Sequence, residues 1–286
     1  MFIMKQAAYQ HRKEALPELS LSRLERLYEL FSNKGWPVEE CLDVSGFERY
    51  CHTLSRLKPE LQDFMIDLSG NFEHITVKDY LNFLLKPLKR LREDAGEENL
   101  IFVTCTPKED VGSVKSSSTV LYQIKGTTIR QHINLRPYLV IDNISTISLP
   151  DMSNNRIVLV DDFVGTGETA KGAVEYIREL CPILKDNSRI VVLCIIAMKE
   201  GVEFLKNNGV AIYCHHIRQK GISEELVEGE REDAMTNMIA IEANIKKLKD
   251  DYRFGYNHSE ALVCMERCPN NTFPIYWLGN GTPYER

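Results

Sequence analysis

Hydrophobic positions change their period part-way along the chain. In the first part they recur every three to four residues. Leu21, Leu24, Leu27, Tyr28 and Phe31 predict one apolar helix face, which Gly35 and Pro37, on either side of Trp36, bring to an end. Pro59 suits the first turn of a second helix carrying Leu61, Phe64, Met65 and Leu68. Thr76 and Asp79 have the spacing of a capping pair and open a third helix containing Tyr80, Leu81, Leu84, Leu88 and Leu91, with Pro87 expected to kink it. Residues 92–98 are polar and include a glycine. They mark the expected boundary between a helical N-terminal domain, 1–95, and a second domain, 96–286.

Beyond that boundary the apolar positions form short continuous runs, at 100–103, 119–124, 157–160, 190–196 and 210–213. Such runs predict buried strands. Helical patterns at 168–180 and 199–207 separate the last three. Strands that are apolar throughout and alternate with helices predict an α/β fold, a parallel sheet covered on both faces. Residues 224–249 read as one long, charged, solvent-facing helix, and 253–286 as mostly loop with a strand around 261–265.

Composition narrows the classes open to this chain. Hydrophobic residues make up 43% and charged residues 27%, ordinary values for a globular protein, and the net charge of −6 with a pI near 5.7 opposes a broad nucleic-acid surface. No apolar run approaches the roughly 20 residues of a membrane span. Residues 1–6 turn polar too soon for a secretory signal, so a cytoplasmic location is expected. Cys214, His215 and His216, with Cys264 and Cys268, supply enough ligands for zinc in principle but contain no C-x-x-C pair. Reduced core cysteines, and no zinc, are the expectation.

The chemistry-bearing stretch is 157–171, I-V-L-V-D-D-F-V-G-T-G-E-T-A-K. The strand ends in Asp161 and Asp162, and in parallel sheets ligands sit at the carboxyl ends of strands. Val164, Gly165, Thr166, Gly167, Glu168 and Thr169 follow. The glycines let the backbone approach an anion, and the threonine hydroxyls lie beside the free N–H groups that open the next helix. Adjacent acids suit a ribose diol or a hydrated magnesium ion. An ordinary strand-to-helix turn accounts for the glycines, but not for two acids joined to two threonines. A G-x-G-x-x-G after the first strand is absent, and Lys171 comes too late to be a Walker lysine.

This stretch resembles the phosphoribosyl pyrophosphate (PRPP) motif of type I phosphoribosyltransferases, with Phe163 bulkier than the usual small aliphatic residue and Gly165 where a small hydroxyl residue is common. The resemblance implies a Rossmann-like, phosphoribosyltransferase-type core behind an N-terminal helical domain. It also implies ribose hydroxyls on Asp161 and Asp162, magnesium held there, and the 5′-phosphate wrapped by residues 164–169. Together with the helical front and the ending P-N-N-T-F-P-I-Y-W, the chain resembles phosphoribosyltransferase-like proteins of bacterial conflict systems, some encoded beside retron reverse transcriptases as anti-phage effectors. That implies a defence-system protein partner, or a reverse-transcriptase complex, and leaves a homodimer open.

Turnover needs charge on a departing pyrophosphate. The loop 104–118 offers Lys115 first and Lys108 second as catalytic cations, with Arg130 and Arg136 as hood candidates. Asn270, Asn271 and Trp277 can be drawn as a lid that hydrogen-bonds and stacks a base, or as packing residues. Two functions stay open: an enzyme that makes or breaks an N-glycosidic bond, and a catalytically silent nucleotide-sensing or protein-interaction subunit.

Overall fold

The computed structural model describes residues 19–38, 45–113, 115–147, 155–184 and 186–285. Residues 1–6, discussed above as a possible leader, lie outside them. The elements run α1 (Leu21–Lys34), α2 (Gly46–Leu54), α3 (Pro59–Ser69), β1 (Glu73–His74), α4 (Val77–Ala95), β2 (Asn99–Thr104), α5 (Ser116–Lys125), α6 (Thr127–His132) and β3 (Tyr138–Ile141). Then come β4 (Asn155–Val160), β5 (Phe163–Val164), α7 (Glu168–Leu180), β6 (Ile190–Leu193), β7 (Ile196–Met198), α8 (Lys199–Asn207), β8 (Ala211–Tyr213), β9 (His216–Arg218), α9 (Glu228–Glu242) and β10 (Val263–Cys264).

Contacts divide the chain into two compact units, one of Met1–Phe72, Glu228–Leu248 and Pro274–Arg286, the other of Glu73–Val227 and Lys249–Phe273. The first unit is helical. Ser20 caps α1, its hydroxyl accepting from the Arg23 N–H. Arg23 and Arg26 both reach Asp63 at 2.7 Å and tie α1 to α3. Its core is aromatic: Phe31 meets Trp36, Phe47 and Tyr50 edge-on, and Phe72 stacks on Tyr284 at 5.1 Å. The long helix expected over 224–249 is shorter. Glu224 and Glu225 turn back to bond the Lys220 carbonyl, and the left-handed Lys247 (φ 65°) lies past the helix end. One of its faces is buried through Ala234, Met238 and Ile241.

The second unit is built on a five-stranded parallel sheet in the order β3-β2-β4-β6-β8. Alternate strand residues serve its two faces. Phe102, Val158 and Leu193 pack with Leu84 and Leu88 of α4 and with Val120 and Ile124 of α5. Val103, Leu159 and Val192 pack with Ala173 and Ile177 of α7 and Leu205 of α8. The boundary expected near residue 95 therefore differs from the contact division. Helix α4 has an apolar stripe like the front helices, but that stripe lies on the sheet. The Asp79 carboxylate accepts from the Thr76 backbone N–H at 3.0 Å, and the helix continues through a buried Pro87.

Two strand expectations need correction. Residues 119–124 lie in helix α5, where Val120, Leu121 and Ile124 are buried and Tyr122 is 75% exposed, a helical pattern inside a short run of strand formers. The single strand expected over 190–196 is two: β6 stays in the large sheet, while β7 joins β5 and β9 in a separate three-stranded parallel sheet. At the amino ends of the large sheet, Glu98 accepts from Arg156 at 2.6 Å and also from Arg189. Both the Glu98 and Arg156 side chains are mostly covered. Removing one member leaves partly buried charge unpaired, so Glu98→Gln should lower stability by about 1 kcal/mol, read as a lower urea midpoint at unchanged slope.

Candidate functional site

The strand order is the doubly wound 2-1-3-4-5 arrangement. Its connections leave in opposite directions from the first and third strands, which opens a crevice at their carboxyl ends. Here those strands are β2 and β4. The crevice thus lies between the segment after Thr104 and the segment after Val160.

Asp161 follows Val160, and its N–H bonds the Leu193 carbonyl; Cys105 N–H bonds the Val160 carbonyl in the same way. The acid is therefore in line with Cys105 and Cys194, two buried thiols that solvate charge poorly. Burial, and then the charge of Asp162, push the Asp161 carboxyl well above the usual carboxylate range. Asp162 is only 4% exposed. It accepts from the Tyr80 hydroxyl at 2.8 Å and from the Ser116 hydroxyl at 2.7 Å. The two acids are near neighbours with different surroundings: Asp161 is half-buried, while Asp162 is engaged by side chains of α4 and α5.

After them, β5 leads into a turn whose close packing requires glycine. Gly167 caps α7 at φ 87°, a left-handed value that residues with a Cβ avoid. A Cβ on Gly165 would meet the Asn271 amide at 2.4 Å. Val164 and Gly165 are thus covered, whereas Thr166 is half-buried and Glu168 and Thr169 are exposed. The first N–H groups of α7 have no partner within their own helix, and Thr166 and Thr169 flank the helix start in sequence. Glu168 is bonded by the Tyr256 hydroxyl at 3.0 Å and by the Asn257 amide at 3.4 Å. This carboxylate draws residues 254–260 to the helix start. Phe254, Asn257, His258 and Glu260 in that segment all have positive φ, a strained backbone that neighbouring contacts must hold.

A family model named PRTase-CE matches residues 58–286, well over half of the sequence. The chain belongs to the PRTase-CE family. It is therefore a phosphoribosyltransferase-like protein. No curated protein matches it. Among solved structures, this PRTase-CE chain is similar to Mycobacterium tuberculosis H37Rv orotate phosphoribosyltransferase in complex with inorganic phosphate, at 16% identity over 47% of this chain and 68% of that one, TM-score 0.30. It is also similar to Helicobacter pylori xanthine-guanine-hypoxanthine phosphoribosyltransferase, at 14% identity over 51% of this chain and 89% of that one, TM-score 0.31. A third is the purine phosphoribosyltransferase of Pyrococcus horikoshii Ot3, at 18% identity over 54% and 98%, TM-score 0.27.

The other sequence candidates of the PRTase-CE chain fall in several places. Lys115 immediately precedes α5, and its ammonium bonds Asp110 at 2.7 Å; its charge also acts on Asp161 and lowers that carboxyl's affinity for a proton. Lys108 pairs with Glu179 of α7 at 2.6 Å on the surface. Val114 of the same loop lies outside the described residues. Arg130 bonds the Lys125 carbonyl, and Arg136 stands at the amino end of β3, opposite the carboxyl ends where the acids lie. Asn270 and Asn271 belong to the sheet unit, where the Asn271 amide bonds the Ser259 hydroxyl at 3.1 Å. Trp277 belongs to the helical unit and is buried there. Of the residues weighed for zinc, Cys214 lies beside Cys194, Cys264 lies beside Cys268, and His216 bonds Glu73 at 2.8 Å. Among the described residues there is no group of three or more His, Cys, Asp or Glu placed to hold a metal. No described helix is long and apolar enough to cross a membrane.

Sequence reasoning missed Tyr80, Ser116, Tyr256 and Asn257. Tyr80 was visible only as one member of an apolar stripe. Ser116 stood among loop hydroxyls with nothing to single it out.

Proposed function

We propose that the chain binds PRPP, or a related ribosyl phosphate or nucleotide, and makes or breaks an N-glycosidic bond. The observation that carries this reading is the meeting, at the β2/β4 crevice, of an acid pair, Asp161 half-buried and Asp162 buried, with the glycine-bounded start of α7. Free N–H groups and the positive end of a helix favour a phosphate. Carboxylates accept hydrogen bonds from a sugar diol. Residues 166–169 hold the 5′-phosphate, and Asp161 takes a ribose hydroxyl. As the bond from the ribosyl carbon to its leaving group breaks, the electron pair goes to that group and the carbon passes through an oxocarbenium-like state. A nitrogen of the acceptor then supplies the new bond.

The acid pair also fits magnesium. Two close carboxylates, one of them pushed up by burial and then by its neighbour's charge, form a place that a cation relieves. Magnesium is commonly held by one or two carboxylates plus substrate phosphates, without a full protein cage. Bound magnesium would supply positive charge to the departing pyrophosphate.

One observation favours the silent alternative, a nucleotide-sensing or interaction subunit on the same fold. Both loop lysines are engaged by carboxylates, Lys115 by Asp110 and Lys108 by Glu179. A transferase needs at least one of them released towards the leaving group. Calorimetry with PRPP and magnesium, followed by pyrophosphate release over a panel of bases, separates the readings. Binding with turnover supports the enzyme. Binding with no turnover over the whole panel selects the silent subunit, and no binding removes both. In a cell, either reading suits a cytoplasmic defence component that alters or senses a nucleotide pool beside a partner protein.

A further inference from the structure

Two hydroxyls serve Asp162, and they differ in permanence. Tyr80 is fully buried, and its oxygen accepts the Glu266 N–H at 3.2 Å, leaving its own proton committed to Asp162. It is held from both sides. Ser116 is half-buried at the first turn of α5. Its hydroxyl lies 2.7 Å from Asp162 Oδ1 and 3.5 Å from Asp161 Oδ1, so it stands between the two acids. Rotation about one side-chain bond moves it away, because a serine hydroxyl has three staggered positions.

We propose that the Ser116 hydroxyl is a built-in stand-in for a sugar hydroxyl: it fills the place between Asp161 and Asp162 that the diol of a pentose 5-phosphate takes, and the ligand binds by displacing it while Tyr80 keeps Asp162 in position. This rests on the ribosyl-phosphate reading above. It assigns Ser116 the role of competitor and Tyr80 that of positioning residue. A carboxylate pair with a hydroxyl already between its oxygens is less costly to bury than an empty one. The same contact lowers apparent affinity, since only the fraction with Ser116 turned away accepts the diol.

The test is calorimetry with ribose 5-phosphate and, separately, inorganic phosphate. Ser116→Ala should bind ribose 5-phosphate about three- to ten-fold more tightly, with phosphate affinity unchanged, and Ser116→Thr should return the wild-type value by restoring the hydroxyl. Tyr80→Phe should weaken ribose 5-phosphate without affecting phosphate. If wild type binds ribose 5-phosphate and Ser116→Ala binds it equally or more weakly, the displacement idea is overturned and the function stands. Equal gains for ribose 5-phosphate and phosphate would also overturn it, since the contact would then not compete with a diol. Absence of ribose 5-phosphate binding in wild type and Ser116→Ala alike overturns both. Thermal melts of each variant show whether a loss reflects folding instead.

Discussion

Asp161→Asn should melt higher than wild type at neutral pH while binding ribosyl phosphates at least ten-fold more weakly. Burial beside Cys105 and Cys194, together with the charge of Asp162, raises the Asp161 carboxyl in the folded protein. A raised acid means that the folded state holds its proton to higher pH than the unfolded chain does. Stability from that proton is complete below the unfolded value of about 3.9 and is lost as pH rises through the folded one. At pH 7.5 the unfolded chain holds this group ionised, the form that the fold disfavours, so the carboxyl opposes folding. The amide cannot carry that charge, so the variant should melt a few degrees higher, about the shift that 1 kcal/mol produces in a domain of this size. Near pH 4 the gap should close. Under the proposed function, the same charge is what a diol and a magnesium ion would bind. A hydrogen bond to a charged group contributes about 1.5–3 kcal/mol, some 10- to 100-fold in affinity. Wild-type binding should accordingly strengthen as pH rises through the raised Asp161 value. A lower Tm for the variant at pH 7.5 would show that the carboxylate is stabilised in the fold, and would remove the account of a strained acid kept for a ligand.

The site's frame was legible because it is local. A continuous apolar run, two acids, two glycines and a helix pattern stand in sequence from 157 to 180, and each follows from short-range rules. Helix α8, at 199–207, was visible for the same reason. What was hidden is long-range or short. Tyr80 and Ser116 are far from Asp162 in sequence, and nothing near either one announces a carboxylate partner. Strand β3 was passed over although Tyr138, Leu139, Val140 and Ile141 form a continuous apolar run; it is short and lies at the sheet edge, with Leu139 49% exposed. Thr119–Ile124 contains strand formers at every other position, yet α5 is a helix because its buried residues fall on one side facing the sheet. Tertiary packing overrides a propensity of this size. The division of labour between Asp161 and Asp162 belongs to the same class. The sequence shows two identical residues, and only their neighbours make them different.

At Gly201 a single added methyl group should have a large structural effect. It sits in α8, where replacing glycine by alanine ordinarily stabilises a helix by up to about 1 kcal/mol. Propensity alone predicts a gain. In the fold, a Cβ at this position would lie 2.1 Å from the Gly165 carbonyl oxygen and 3.2 Å from Val164 Cγ1. The obstacle is backbone, which cannot turn aside as a flexible side chain does. Relief must come by moving α8 or the 164–169 turn, and that turn is pinned on its other side by Asn271 against Gly165. Overpacking of this kind costs about 1–3 kcal/mol or more, so Gly201→Ala should melt roughly 3–10 °C lower. Displacement of the Gly165 peptide should also misalign the N–H groups that follow it. Phosphate affinity should therefore fall about ten-fold or more, as expected when a preorganised donor set loses its geometry. Gly229→Ala is the matched control: it too lies in a helix, α9, with nothing within 4 Å of the added carbon, and should leave both stability and phosphate binding unharmed. A Gly201→Ala protein as stable as the control would mean that α8 does not press on the turn, and the proposed phosphate cradle would lose the support that holds its shape.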